Sequence, residues 1–278
     1  MLFRFNITII AAVFAGSTLL CAAQVKPLET PKPSPTPGAL TVGKPGAANV
    51  TADQVAETAV FFYGFPGYAT QPMGRERLNQ IRKTTIEKGR TTLTAPDGKT
   101  EQSTYQRFVI RGEDLTKEKI RLDQDFPTAR YALIFNEKIF GIYNNTVFSP
   151  REDASRSFDN QINHGLEALL RYKENGSTLE LGPREKLMGV DYYVLDVTDK
   201  QSRKTRFYIS VKSYRVMMLT YEEAGVKYKR RFYDYNYAQG TLVPYRSVLW
   251  ADEKQIEESD VGTITFGQRV DDAMFSGG

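Results

Sequence analysis

The chain has 278 residues, 41% hydrophobic and 25% charged, with a formal net charge of +4. That composition belongs to a globular protein, not a disordered one, and so mild a charge makes no demand for nucleic acid or an anionic membrane. A single cysteine and a single histidine leave no route to a disulfide within the chain or to a Cys/His zinc site.

The first segment reads as an export signal. Arg4 is the only charge before Cys21, and Ile7 to Leu20 is an apolar run. The run is shorter than the roughly 20 residues a membrane-spanning helix needs and suits a signal-peptide core. Cys21-Ala22-Ala23 supplies the small residues for ordinary cleavage after Ala23. Bulky Leu20 disfavours the alternative, a lipid anchor at Cys21. Residues 1–23 are therefore expected to be a signal peptide, and the mature protein to be periplasmic and free of cysteine. Residues 24–50, with prolines at 27, 31, 33, 35, 37 and 45, read as an extended spacer. A protein-binding role for this spacer is the sharper alternative.

The folded part is expected over 51–278. Thr51 and Gln54 form a capping box, so a helix starts near Ala52. Val55, Ala59 and Phe62 share its apolar stripe, and Phe61 lies off it. Pro66 and Gly67 end this helix. Phe61 and Phe65 are candidates to face a greasy cavity. A short helix follows over about 74–83. From Thr84 the pattern turns to strands, with a turn at Pro96-Asp97-Gly98. In "RYALIFN", Tyr131, Leu133 and Phe135 point one way while Ala132 and Ile134 point the other. Both faces are apolar there, so either something covers the second face or the sheet curves round a cavity.

After Pro150 the spacing predicts one helix ending at Gly176, with Phe158, Ile162, Leu166, Leu169 and Leu170 on its stripe. Asp153 or Ser155 is its candidate cap. His164 falls opposite the stripe and reads as a solvated surface residue. The remainder reads as strands near 178–188, 191–198, 204–211, 215–222, 227–236, 241–251 and 258–266, in antiparallel hairpins. "KYKRRFYDYNY" mixes cations with aromatics as single-strand binders do. Strand alternation places Lys227, Lys229, Arg231, Tyr233, Tyr235 and Tyr237 on one face, as in a sheet strand with one wet end. No nucleic-acid partner is expected. No serine elbow, phosphate loop or metalloprotease motif is present. Asp123, Asp125 and Asp271-Asp272 read as solvated strand ends. No catalytic residue, metal or cofactor is assigned.

The segments "LMGVDYYVLDVTDK", "TRFYISVKSYRVMMLTY", "RRFYDYNYAQGTLVPYRSVLW" and "ITFGQRVDDAMF" resemble the LolA/LolB-like family of bacterial periplasmic lipoprotein carriers and sorting proteins. The resemblance implies an α+β fold: an incomplete, half-open antiparallel β-barrel of about eleven strands, with helices closing its concave face. It implies an apolar cavity for acyl chains, with a lipid or acylated lipoprotein as the ligand. The residues expected to line that cavity are Phe61, Phe62, Phe65, Phe108, Ile110, Tyr131, Leu133, Phe135, Phe158, Ile162, Leu166, Leu169 and Leu170. The alternative is a regulatory or envelope-assembly module of the same fold that acts through protein contacts, with an envelope protein bound through residues 24–50.

Overall fold

The computed structural model describes residues 50–64 and 74–277. The leader, almost all of the spacer and Phe65 lie outside them. From Thr51 onward the chain forms one compact unit.

Helix α1, Ala52–Tyr63, starts at the expected capping box. The Gln54 amide donates to Thr51 Oγ1 at 3.2 Å, and the Thr51 amide to Gln54 Oε1 at 2.9 Å. Its buried side is Val55, Ala56, Ala59, Val60 and Tyr63, so the stripe is rotated away from Phe62, which stays half-buried at the rim. The helix stops at Gly64, and the next described residue is Gly74. A Cβ on Gly64 would lie 2.6 Å from the Gly74 carbonyl oxygen. Gly74 takes φ +77° against Phe61. Only glycine permits both the close approach and this backbone conformation. Helix α2, Arg75–Ile81, follows.

Among the described residues, fourteen strands then form one open antiparallel sheet. Strands β1 (Thr84–Thr94), β2 (Thr100–Ile110), β3 (Lys119–Asp125), β4 (Arg130–Asn136), β5 (Lys138–Tyr143) and β6 (Thr146–Phe148) make a meander. Asn144 and Asn145, at φ +48° and +59°, turn the last hairpin, as a two-residue loop requires. Helices α3 (Glu152–Asn163) and α4 (Leu166–Leu170) cross to the second half. This half consists of β7 (Thr178–Leu181), β8 (Glu185–Leu187), β9 (Val190–Thr198), β10 (Lys204–Ser210), β11 (Val216–Glu223), β12 (Val226–Ala238), β13 (Thr241–Ala251) and β14 (Lys254–Phe266). The two meanders join where β1 pairs with β14, and β6 and β7 stand at the edges.

Three expectations need correction here. Among the described residues the strands number fourteen rather than about eleven: β6 has no counterpart in the expected set, and the 178–188 strand is interrupted at Gly182-Pro183, where proline has no N–H for the ladder. The expected single helix after Pro150 is two. Gly165 is extended, with φ −85° and ψ −178°, and glycine is the residue least committed to helix after proline. The start of α3 is Arg151, with no side-chain cap, so neither Asp153 nor Ser155 has that role.

The second face of β4 is covered by the C-terminal segment. A 3-10 turn, Asp272–Phe275, lies on the sheet there. Arg121 donates to the Met274 carbonyl at 3.0 Å, Asn136 to the Phe275 carbonyl at 3.2 Å, and Lys119 pairs with Asp272 at 2.7 Å. Ile134 and Phe275 are both fully buried. Asp123, half-buried and paired with Arg121 at 2.9 Å, thus holds structure together rather than standing solvated, while Asp272 stays exposed as expected and still reaches Lys119.

Candidate functional site

The helix-bearing face of β3 and β4 carries an apolar cluster. Ile120, Leu122 and Leu133 pack with Phe158 and Ile162 of α3, and Tyr105, Val109, Tyr131, Phe135 and Ile139 surround them half-buried. Alternation on each strand and i, i+4 spacing on the helix bring these side chains together. Five of the expected cavity residues therefore meet: Tyr131, Leu133, Phe135, Phe158 and Ile162. Leu169 and Leu170 are fully buried on α4, and Leu166 is half-buried.

Phe108 and Ile110 do not join them. They stand opposite Arg121 and Lys119 in the register, and directly opposed residues share a face. Arg121 and Lys119 hold the C-terminal segment, so these two apolar side chains lie on the far face, away from Val109. Because a step of one residue along a strand reverses the face, Val109 rather than Phe108 or Ile110 meets α3. Phe62 stacks on Tyr214 at 5.7 Å, and Tyr214 stacks on Tyr193 at the same distance. Phe61 meets Phe62 edge-on at 5.8 Å. This aromatic group is served by α1 and β9, apart from the α3 cluster.

His164 is buried, at 3% exposure, not solvated as the helical wheel suggested. The chain turns at Gly165 and sends the imidazole inward. Nδ1 lies 2.7 Å from Thr205 Oγ1, and the ring stacks on Tyr221 at 4.0 Å, which in turn stacks on Tyr228 at 4.8 Å. Burial, assisted by the Arg203 charge, lowers its pKa to about 4. Strand β12 also departs from simple alternation. Asp234 has φ +53°, and beyond it Tyr235 turns to the helix side to meet Tyr63 of α1 at 3.1 Å between hydroxyls. Tyr233 stays on the other face beneath Arg246, 5.3 Å from its ring centre.

Sequence reasoning missed a set of buried charges that ties the helices to the sheet. Glu167 of α4 accepts from Arg82 at 2.6 Å and from Arg111. Arg82 also donates to Thr241 Oγ1 at 3.1 Å and the Leu242 carbonyl at 2.9 Å. Burial would raise the Glu167 pKa, yet the Arg111 and Arg82 guanidiniums hold it at about 2. Arg171 pairs with Glu118 and donates to the Gly112 carbonyl at 2.6 Å. Arg75 bridges Glu57 of α1 at 2.7 Å and Glu174 at 2.6 Å. The available signal was a carboxylate inside the leucine run of α4, where an unpaired charge would be costly.

Next to Thr205, the partner of His164, is a small cleft of about 30 Å³, lined by Asn163, Ala168, Asn175, Val197, Asp199 and Arg203 among others; that is room for one water. Among the described residues no three His, Cys, Asp or Glu side chains gather as a metal would require. Among them, too, no helix is long and apolar enough to cross a membrane.

No family model matches the sequence, and no curated protein matches it. Solved structures do. A DUF1329 family protein from Desulfovibrio piger is 13% identical, with a TM-score of 0.58 over 81% of this chain and 97% of the other. A LolA superfamily protein from Nitrosomonas europaea is 14% identical, with a TM-score of 0.56 over 82% of this chain and 98% of the other. The chain has a LolA-like fold: an open antiparallel sheet with helices on one face.

Proposed function

We propose that this protein is an exported carrier that holds the acyl chains of a lipid or acylated lipoprotein between α3 and the sheet. The observation that carries the reading is the cluster of Ile120, Leu122, Leu133, Phe158 and Ile162. It sits between a sheet with two open edges and a helix whose exposed side is highly charged. Withdrawal of α3 uncovers a continuous apolar floor. Each lipid methylene buried there contributes about 0.8 kcal/mol, so acyl chains bind without a charged contact. The helices then act as a lid, with Glu167 fastening α4 to Arg82 and Arg111. Residues 1–23 are the export signal, cleaved after Ala23, and residues 24–50 space the domain from it or contact an envelope protein.

Native mass spectrometry of the exported protein, with solvent extraction, tests this. A stoichiometric lipid or acyl-peptide adduct on a chain starting at Gln24 is expected. A protein that stays empty after incubation with envelope lipids sinks the carrier reading.

A further inference from the structure

The helix-bearing face is not apolar throughout. On β2, Ser103, Tyr105, Arg107 and Val109 alternate onto one side, and Tyr105 and Val109 belong to the cluster under α3. The register extends Ser103 sideways. Thr91 stands opposite it on β1, Ser259 opposite Thr91 on β14, and Ser247 opposite Ser259 on β13. Four adjacent strands thus present a transverse row of four hydroxyls. Thr91 and Ser259 are 3.1 Å apart. Glu257 accepts from Ser259 at 3.3 Å and from Arg230 at 3.0 Å, and Arg230 also donates to Ser247 at 3.3 Å.

The row is not fully satisfied. Ser103 is 3% exposed, and its hydroxyl has no partner. Arg107 makes no ion pair among the described residues, and its buried Nε lacks a hydrogen-bond partner. Buried polar groups normally find partners, and those that do not call for an occupant or a reason. Arg107 also marks a boundary, because its cross-strand neighbour is Leu122, and Leu133 lies beyond. Polar row and apolar floor are therefore contiguous.

Charge selects the class of ligand. Arg230 pairs with Glu257 at 3.0 Å, and Glu87, opposite Arg107 in the register and accepting from the Tyr105 hydroxyl at 2.7 Å, offsets the Arg107 charge without pairing with it. The local balance is near neutral, while hydrogen-bonding groups of both senses are abundant. We propose that the row of Ser103, Thr91, Ser259 and Ser247, with Arg107 at its margin, is a head-group subsite for an amphiphile with an uncharged polyhydroxyl head. This rests on the acyl-chain reading: the tail lies on Leu122 and Leu133 while the head meets the hydroxyls.

The test is isothermal titration of the full exported chain, below critical micelle concentrations, with dodecyl maltoside, dodecyl phosphate and free maltose. Dodecyl maltoside is expected to bind about tenfold more tightly than dodecyl phosphate, since a site built to hydrogen-bond hydroxyls rejects a head that lacks them. Ser103→Ala with Ser259→Ala weakens dodecyl maltoside more than dodecyl phosphate and so narrows that margin; circular dichroism checks folding. If the double variant does not fold, the ranking of heads by the unaltered protein decides. Equal binding of the two detergents overturns the head-group subsite and leaves the acyl reading intact. Binding of neither overturns both. Free maltose binding as tightly as the detergent makes this a sugar site without a tail and overturns the proposal.

Discussion

Glu118 and Arg171 face each other at 4% and 1% side-chain exposure. Burial pushes the Glu118 carboxyl up, with Glu167 nearby adding repulsion and Arg171 opposing both. Removing one charge leaves the other buried without a counter-ion. Glu118→Gln should therefore cost about 3–5 kcal/mol, read as a lower urea midpoint. An exposed contrast is Met188, at 84%; Met188→Ala should stay within about 0.5 kcal/mol. His164 sets a pH effect with a definite sign. The unfolded imidazole, near its usual 6.5, takes a proton more readily than the folded one at about 4. The stability it contributes is complete above pH 6.5 and is lost as pH falls toward 4. An NMR titration of the single histidine should show its midpoint near 4; a midpoint above 6 would refute the buried placement. Its position was illegible in the sequence because the wheel assumed a continuous helix. The arginines were illegible for a different reason: their carboxylate partners lie far away in sequence, as Arg82 and Glu167 do.

At the scale of elements, local rules were readable wherever the chain decides locally. The capping box of α1 was visible as Thr51 and Gln54 and stands as read. Thr51→Ala should cost about 1 kcal/mol, measured by thermal unfolding. Strand identity from β1 to β5 and from β9 to β14 followed from alternation and turn residues. What alternation alone could not give was the face. Phe108 and Ile110 look interchangeable with Val109 until the register with Arg121 and Lys119 is known, and Tyr235 changes side because Asp234 bends the strand. Tyr131, Leu133 and Phe135 were legible as one face of β4 by alternation, and Phe158 and Ile162 as one stripe of α3 by helical spacing; that the two surfaces meet needed the fold. Phe158 anchors α3 at 2% exposure, so Phe158→Ala should cost about 3–5 kcal/mol and release α3 first. Hydrogen exchange should find the α3 amides protected less than those of β12; equal protection would argue against α3 as the moving part.

The sheet of the folded unit is two meanders held at one seam. Hairpins such as β4–β5 form between near neighbours, but the seam pairs Thr91 with Ser259, 168 residues apart. Hairpins are legible in sequence because their turns announce them; a seam between the first and last long strands has no turn and announces nothing. The resemblance to the LolA/LolB-like family supplied the half-open form that periodicity could not. The seam also has a meaning in time. Local pairs can close as soon as they are made, whereas pairing across so long a loop waits on the far end of the chain. Delivered from its N-terminus, the chain keeps β1 without its second neighbour until β14 has emerged. The hydroxyl row, which crosses the seam, does not exist before then. The fold is therefore left open to the last, a property that suits the proposed export, in which the chain is threaded before it closes.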